Sequence, residues 1–207
     1  MSIRKSLVLV GVVSVVALSL MGSGASAQNV LINADFETGD LTGWEVNGVS
    51  PNSNVTVQSP DNGPTLPGTH NAFMSNFAEA IGLNLKQASA PGTAGPGEVN
   101  YSFDLKLDQA DVGGVLFVQI FAEQEGVGIV GGSGLMGPYW PWNAWTTYTG
   151  SFMAPEGTDF LTIQFVATTG AATGTNCVAH VDNVILESQG AIPDEATSWS
   201  GAKASFR

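Results

Sequence analysis

Val99-Asn-Tyr-Ser-Phe-Asp-Leu-Lys-Leu-Asp108 carries the clearest structural pattern in the chain. Its apolar and aromatic residues occupy every second position, and polar residues stand between them. Side chains of an extended strand alternate between the two faces of a sheet, so this stretch predicts a strand with one buried face. Residues 115–122 are apolar almost throughout and predict a more fully buried strand. We expect these two strands, joined by residues 109–114, to form an antiparallel pair.

The rest of the chain repeats this organisation of short apolar stretches separated by glycine and proline. With 26 Gly and 10 Pro, long helices would be interrupted repeatedly. The predicted fold is therefore all-β: two antiparallel sheets packed face to face as a sandwich. Further strands are expected at residues 30–32, 44–46, 55–57, 72–75, 81–85, 146–152, 161–167 and 179–186.

Residues 1–27 have the pattern of a secretory signal peptide. Arg4 and Lys5 precede an apolar run over residues 7–20, and Ala25-Ser26-Ala27 supplies the small residues of a cleavage site. The run is too short to favour a membrane span, and no later segment of the sequence is apolar for long enough. We expect a protein secreted to an extracellular or periplasmic space, with one domain over residues 28–187.

Residues 188–207 differ in character from the predicted domain. A polar segment is followed by one that is aromatic and basic, containing Trp199, Lys203, Phe206 and Arg207. This tail is either a disordered end or a short docked helix, or else a sorting or attachment segment.

The charge of the chain restricts its partners. Its formal net charge is −12, and few basic residues follow Ala27. Nucleic acid and anionic membrane surfaces are therefore not expected partners, whereas neutral sugars and divalent cations are compatible with this charge. Cys177 is the only cysteine, so no internal disulfide can form. We expect Cys177 to be a small buried residue, the alternatives being intermolecular pairing or a reactive thiol.

Acidic residues occur in two motifs at opposite ends of the predicted domain, Asn33-Ala-Asp-Phe-Glu37 and His180-Val-Asp-Asn-Val-Ile-Leu186. In an extended chain Asp35 and Glu37 share one face, while Phe36 points to the core. If the last strand returns beside the first, Asp182 completes an oxygen-lined pocket suited to calcium. In the alternative interpretation these carboxylates are solvated or cap local backbone groups.

The motifs of the chain resemble those of a known family. Asn33-Ala-Asp-Phe-Glu37 with Gly43-Trp44 is followed by Trp145-Thr-Thr-Tyr-Thr-Gly-Ser-Phe-Met-Ala-Pro155 and by Val181-Asp-Asn-Val-Ile-Leu186. Their order and spacing resemble secreted jelly-roll domains of the carbohydrate-binding-module type, with a galactose-binding-like β-sandwich, over residues 29–187. The resemblance implies a structural calcium ion with Glu37 and Asp182 as ligands and Asp35 as an addition. The family often has two consecutive acids where this chain has Asp182-Asn183.

An aromatic segment, Met136-Gly-Pro-Tyr-Trp-Pro-Trp-Asn-Ala-Trp145, contains three of the five tryptophans. Aromatic rings stack on the C–H faces of sugars, so Tyr139, Trp140 and Trp142 are candidates for binding a polysaccharide or glycan. Polar side chains such as Gln119 and Asn143 would add hydrogen bonds. Trp145 precedes a strand and is expected in the core. Alternatively, the segment folds over the end of the sandwich and buries its aromatic rings, or it docks another protein.

Catalytic motifs find little support in this sequence. Gly131-Gly-Ser-Gly-Leu135 lacks the final glycine of a nucleophile elbow, and His70 and His180 lack zinc-ligand spacing. Glu123 and Glu125 could face one cleft, but their spacing is common by chance. The sequence predicts a non-catalytic carbohydrate-binding module with a structural calcium ion. The alternative is a structural or adhesive protein of an extracellular matrix or cell surface, which would contact protein neighbours.

Overall fold

The computed structural model describes residues 28–140 and 142–188. The predicted signal peptide and nearly all of the predicted tail lie outside these residues. The described part contains no helix, and hence none long and apolar enough to cross a membrane. Its ten strands are β1 (Glu45–Asn47), β2 (Ser53–Gln58), β3 (Asn71–Asn76), β4 (Gly82–Ala88), β5 (Gly97–Asp111), β6 (Val115–Gln124), β7 (Gly128–Tyr139), β8 (Thr146–Ala154), β9 (Phe160–Thr168) and β10 (Asn176–Ser188).

The strands form two five-stranded sheets packed as a jelly-roll sandwich. The first sheet has the order β2-β3-β10-β5-β8, and the second has the order β1-β4-β9-β6-β7. Every pairing between neighbouring strands is antiparallel. The predicted fold class is confirmed.

Side chains from both sheets fill the space between them. Phe103 on β5 and Phe165 on β9 are fully buried and meet edge to face, with ring centroids 5.4 Å apart. Removing a side chain of this size from water stabilises the fold by roughly 1.5–3 kcal/mol. Cys177 is also buried, as expected, and burial raises the pKa of its thiol to about 12.

The expected pairing of the two leading strands is wrong. β5 lies between β10 and β8 in the first sheet, whereas β6 lies between β9 and β7 in the second. The connection between them crosses from one sheet to the other. Apolar alternation shows which face of a strand is buried, but not which strand is its hydrogen-bonded neighbour. Two consecutive strands have the same alternation whether a tight turn pairs them in one sheet or the connection between them crosses to the opposite sheet.

Two further differences concern β7 and residues 30–32. β7 was not expected, because its many glycines and three register shifts against β6 disrupt the alternation that reveals a strand. Residues 30–32, expected as a strand, form none. There the chain makes only an isolated bridge between Asn29 and Glu187, with the Val30 amide donating to the Leu186 carbonyl at 2.9 Å.

Candidate functional site

The two sheets present very different outer surfaces to solvent. The outer surface of the first sheet is crossed by the connection between β2 and β3, residues 59–70, and is called the covered face below. The outer surface of the second sheet, called the open face, has hydrogen bonds that join neighbouring strands, such as that from Asn84 Nδ2 to Gln164 Oε1 at 3.0 Å. The chemistry of the two faces therefore has to be considered separately.

Asp104 on β5 anchors the crossing connection to the covered face. Its carboxylate is fully buried. Oδ1 accepts hydrogen bonds from Thr65 Oγ1 at 2.6 Å and Thr147 Oγ1 at 2.5 Å. Oδ2 accepts from the Thr65 amide and from Asn183 Nδ2, both at 2.8 Å. Four donors thus compensate the cost of burying this carboxylate, and two of them hold the connection in place.

Asp182 on β10 is the second buried carboxylate of the covered face. Oδ2 accepts from the Gly63 amide and Oδ1 from the Asn183 amide, each at 2.7 Å. Burial raises the pKa of Asp182 to about 7, and repulsion from the carboxylates of Asp104 and Glu37 adds to the rise. The two donors to Asp182 therefore compensate the cost of burying its charge only in part.

Glu37 holds the other end of the crossing connection. Its Oε1 accepts from the amides of Thr69 at 2.7 Å and His70 at 2.8 Å, and its Oε2 lies 3.2 Å from His70 Nδ1. The Thr69 hydrogen bond is the main cause that lowers the pKa of Glu37 below its usual value. The connection also passes Glu37 closely, since a Cβ on Gly68 would stand 2.5 Å from Oε1.

The local structure around Glu37 differs from the extended strand that was expected. Residues 33–37 form turns, and Phe36 has a φ of 55°. Asp35 Oδ1 accepts from the Glu37 amide at 3.4 Å, a contact that the turn creates. Phe36 nevertheless enters the core as expected, where its ring lies 5.2 Å from that of Trp44.

The metal prediction has a mixed structural basis. Glu37 and Asp182 are near enough for their charges to interact, as the raised pKa of Asp182 indicates. Within residues 28–140 and 142–188, no three or more His, Cys, Asp or Glu side chains form a group that could hold a metal ion. Any calcium ion would therefore need backbone carbonyl or water oxygens in addition to carboxylates. The calcium site at Asp35, Glu37 and Asp182 stays a prediction.

Trp145 also belongs to the covered face, and its expected place in the core is wrong. Its Nε1 donates to Asp61 Oδ1 at 3.0 Å, and its ring lies beside His180, with centroids 5.9 Å apart. Lys106 Nζ lies 5.8 Å from the same ring and 2.7 Å from Asp61 Oδ2. An indole N–H needs an acceptor, and the connection over residues 59–70 supplies one outside the core.

The open face is built from strands whose register aligns polar side chains in rows. Alternate residues of β6 are buried, so Phe117, Gln119 and Phe121 face outward and are half-buried. Asn84 Oδ1 is buried and has no hydrogen-bond partner among the residues described. One row across the sheet consists of Glu45, Lys86, Gln164, Gln119 and Leu135, and the next contains Asn47, Asn84, Val166 and Phe117.

These rows combine amide groups with aromatic rings. Each Asn or Gln side chain offers two donor hydrogens and a carbonyl oxygen with two lone pairs, and few of these are used here. The charged residues of the first row differ from the amides because they are paired with each other: Lys86 Nζ lies 3.0 Å from Glu45 Oε2. The open face can therefore accept and donate hydrogen bonds to a ligand that also packs against Phe117 or Phe121.

The three aromatic candidates from the sequence, Tyr139, Trp140 and Trp142, differ in their exposure to solvent. Trp140 and Trp142 are 62% and 70% exposed. Tyr139 ends β7 and is half-buried, with its ring 4.7 Å from that of Tyr148 and 6.2 Å from that of Phe103. Burial raises the pKa of Tyr139 to about 12. The structure thus places two rings in solvent and packs the third against the core.

Comparison with known proteins gives a match in three-dimensional structure alone. No protein-family model and no curated protein matches the sequence. TmCBM61, solved in complex with β-1,4-galactotriose, superposes with a TM-score of 0.52 at 15% identity, over 77% of this chain and 98% of that chain. The CBM22-1 xylan-binding domain from Paenibacillus barcinonensis has a TM-score of 0.52 at 17% identity, over 78% and 95%. The chain has the jelly-roll fold of carbohydrate-binding modules.

The same fold also occurs inside larger proteins. The enzymatically active domain of bacteriophage CBA120 tailspike protein 4 superposes with a TM-score of 0.60 at 16% identity, over 76% of this chain. This chain spans only 21% of that domain. At such identities the likeness concerns the carbohydrate-binding-module fold and carries no residue roles. The expected resemblance to a jelly-roll module is confirmed at this level.

Sequence reasoning found part of the open face and missed the rest. The sequence indicated Gln119 and Asn143 as hydrogen-bonding residues but did not indicate Asn84, Gln164, Phe117 or Phe121. Phe117, Gln119 and Phe121 follow one another at every second position, which is a signal for a shared strand face. Asn84 and Gln164 come from two other strands, and only the pairing of β4, β9 and β6 brings them beside Gln119.

Proposed function

We propose that this protein is a non-catalytic module that binds a neutral polysaccharide on the open face. The observation that carries the proposal is the pair of neutral amides, Gln119 and Gln164, that lie opposite each other beside the half-buried rings of Phe117 and Phe121. Next to them, the buried Asn84 Oδ1 has no hydrogen-bond partner among the described residues, whereas buried polar atoms normally have one. Sugar hydroxyls donate and accept hydrogen bonds, as amides do, and sugar rings present apolar C–H faces to aromatic residues.

The exposed ring of Trp140 would extend this site along the strands. Tyr139 is opposite Leu116 in the pairing of β7 with β6, so Trp140 leaves β7 beside the end of β6 that carries Phe117. A polysaccharide is a long ligand, and an aromatic ring beyond the sheet would add a further sugar contact. Trp140 and Trp142 are proposed in this role, and Tyr139 would support Trp140 from the core.

The charges of the open face and of the whole chain favour an uncharged ligand. Of the described residues on the central row, Lys86 is paired with Glu45, and Gln164 and Gln119 are neutral. An anionic ligand would also be repelled by the net charge of −12. Neutral glucans, galactans or xylans match these conditions better than acidic polysaccharides.

The test measures retention of residues 28–207 on insoluble neutral polysaccharides, with β-1,4-galactan and xylan as the first probes. Gln119→Ala with Gln164→Ala should remove binding, and Trp140→Ala with Trp142→Ala should weaken it. Phe77→Ala is the control, since Phe77 is an exposed aromatic residue on the first sheet side of the sandwich. Absence of binding to every neutral polysaccharide, or equal loss in Phe77→Ala, would contradict the proposal.

We also propose a structural calcium ion near Glu37 and Asp182, with Asp35 as a further ligand. The fit rests on the poorly compensated carboxylate of Asp182, whose pKa is raised to about 7 by burial and by neighbouring carboxylates. A divalent cation would remove that repulsion, and each carboxylate oxygen of Asp182 keeps a second lone pair beside its present hydrogen bond. Bound calcium would tie residues 33–37 to β10.

Calcium binding is tested separately from sugar binding. Binding to the folded state alone must raise the melting temperature, so Tm should rise with added calcium and fall after chelation. Glu37→Gln and Asp182→Asn should lose this response, while Glu98→Gln on the same sheet should keep it. A Tm that is the same in calcium and in chelator would contradict the calcium proposal and would not affect the sugar proposal.

A further inference from the structure

The four edge strands of the two sheets are protected from pairing to very different degrees. An exposed strand edge is a template for another strand, and proteins block it with short strands, bulges, prolines or charges. β1 has three residues, and β7 is interrupted by three register shifts and by Pro138. β2 has six residues and lies between Pro51 and Pro60. Each of these three edges carries at least one such feature.

β8 has no such feature within the strand, although Pro155 follows it directly. It has nine residues, pairs with β5 without a register shift, and contains neither proline nor a charged residue. β-branched and aromatic residues, which favour strands, make up much of its sequence. Its outward side chains, Thr147, Thr149, Ser151 and Met153, are all exposed. The edge of β8 that faces away from β5 has no strand partner among the residues described.

β8 also belongs to a part of the chain without charge. Residues 126–155 contain no Asp, Glu, Lys or Arg, although the chain as a whole has a net charge of −12. This segment includes β7, the connection to β8, and β8 itself. The two strands contact each other across the sandwich, where the rings of Tyr139 and Tyr148 lie 4.7 Å apart. The lateral surface along the neighbouring edge strands β7 and β8 therefore carries no charged residue of its own, and it is called the uncharged side below.

We propose that the uncharged side is a self-association surface, on which β8 of one copy pairs antiparallel with β8 of a second copy. Copies with the same negative charge repel each other through most surfaces, but the uncharged side meets its equivalent without that repulsion. An antiparallel pair of identical strands has a two-fold axis, which closes the assembly at two copies. The first sheets of the two copies would join into one continuous sheet.

The contacts available on the uncharged side indicate a reversible dimer. Main-chain hydrogen bonds along β8 would supply most of the interaction, as in other cases of strand addition. Met153, which is 71% exposed, would add apolar contact at one end of the strand. Small interfaces of this type are weak, so the dimer should appear only as the protein concentration rises. Gln119, Gln164, Phe117 and Phe121 of the open face lie on inner strands of the other sheet and stay available.

The test is sedimentation velocity of residues 28–207 between about 1 µM and about 1 mM, the range in which weak interfaces become populated. The expected result is a concentration-dependent change from monomer to dimer. Thr149→Lys with Ser151→Lys should abolish the dimer, because two lysines from each copy then face each other across the axis. Circular dichroism and Tm check that this variant is folded. If it does not fold, Met153→Lys repeats the test at an exposed position.

The matched control adds the same charge to the other edge of the same sheet. Asn54→Lys with Thr56→Lys changes two exposed residues of β2 and should leave the dimer intact. A monomer at every concentration, or equal loss of the dimer in this control, would overturn the proposal. Assemblies that keep growing beyond two copies would also overturn it, since they require β8 to pair with a different edge.

Deletion of residues 189–207 tests whether the edge of β8 is occupied by a second copy or by the C-terminal tail of the same chain. The dimer should persist in this shortened chain. If instead the full chain is a monomer and only the shortened chain dimerises, the tail occupies the edge of β8 and the proposal is wrong.

Discussion

The covered face and the open face belong to the same sandwich but use their polar residues in opposite ways. On the covered face, the oxygens of Asp104 accept four hydrogen bonds, and residues 59–70 exclude solvent from them. On the open face, Asn84 Oδ1 is buried with no partner in the described part of the chain. Acidic residues are thus engaged in holding the fold, while neutral amides retain the capacity to bind a ligand.

This contrast follows from the different costs of burying carboxylates and amides. Burying a charged group is costly unless donors compensate it, so a carboxylate that folds into the protein becomes part of the structure. Leaving a neutral amide half-exposed, without a full set of hydrogen-bond partners, costs less free energy than leaving a carboxylate in that state. The predictions below address this difference, beginning with the largest expected effect.

Asp104→Ala should destabilise the protein by about 3 kcal/mol or more, because it leaves buried donors without an acceptor and releases Thr65 from the sheet. Urea denaturation gives the free energy of unfolding. Ser102→Ala, two residues earlier on the same strand, is the control and should change stability by well under 1 kcal/mol, roughly the range of partly exposed substitutions. Comparable losses in both variants would contradict the anchoring role of Asp104.

Asp182 should make stability fall as pH rises in the absence of calcium. Its pKa is raised from 3.8 to about 7, so in this window the folded state retains a proton that the unfolded chain has lost. The folded state then binds more protons, and the free energy of unfolding decreases with increasing pH. The unfolding free energy of the wild type relative to Asp182→Asn, measured in chelator, should therefore decrease from about pH 4 to about pH 7.

Added calcium should suppress that decrease if the proposed ion binds, because the cation stabilises the ionised carboxylate. A difference between wild type and Asp182→Asn that does not depend on pH would show that burial does not perturb this group.

Phe117→Ala on the open face should weaken polysaccharide binding about tenfold, which corresponds to about 1.4 kcal/mol. Phe73→Ala is its counterpart on the covered face, where the ring lies 4.8 Å from that of His180. That variant should lose stability but bind polysaccharide as the wild type does. Isothermal titration with a soluble oligosaccharide measures the first effect and urea denaturation the second. Equal binding losses would mean that the two faces do not differ in function.

Asn84→Ala should have the smallest effect on stability, within about 1 kcal/mol, because it removes an unpartnered buried oxygen together with one hydrogen bond to Gln164. Its effect on polysaccharide binding should exceed its effect on stability. Thermal unfolding and binding assays on the same sample compare the two, and Asn47→Ala in the same row provides an exposed control. A loss of stability larger than the loss of binding would assign Asn84 to the fold.

The sequence predicts the strands of this protein better than it predicts their partners. The alternation in Val99–Asp108 identified β5 and its buried face, and the same reasoning located most other strands. It wrongly paired β5 with β6 and overlooked β7, whose bulges disturb the alternation. It also placed Asp35 and Glu37 on a strand, whereas a turn with Phe36 at positive φ presents them.

The candidate sites were predictable to a smaller extent. The sequence indicated Tyr139, Trp140 and Trp142 as candidates for sugar contact and left their exposure open. Only the structure shows that Trp140 and Trp142 are exposed, that Tyr139 packs against the core and that Trp145 lies outside it. The roles of Trp140 and Trp142 in sugar binding, the calcium site and secretion stay predictions.

By itself the sequence determined that this chain forms strands with one buried side, since that pattern depends on residues two positions apart. Tertiary structure alone decided which sheet each strand joins and which outer face is covered. The hydrogen bond between Gly63 and Asp182 joins residues 119 positions apart, and that between Thr65 and Asp104 joins residues 39 positions apart. Contacts at such separations depend on the path of the whole chain, and a local pattern holds no information about them.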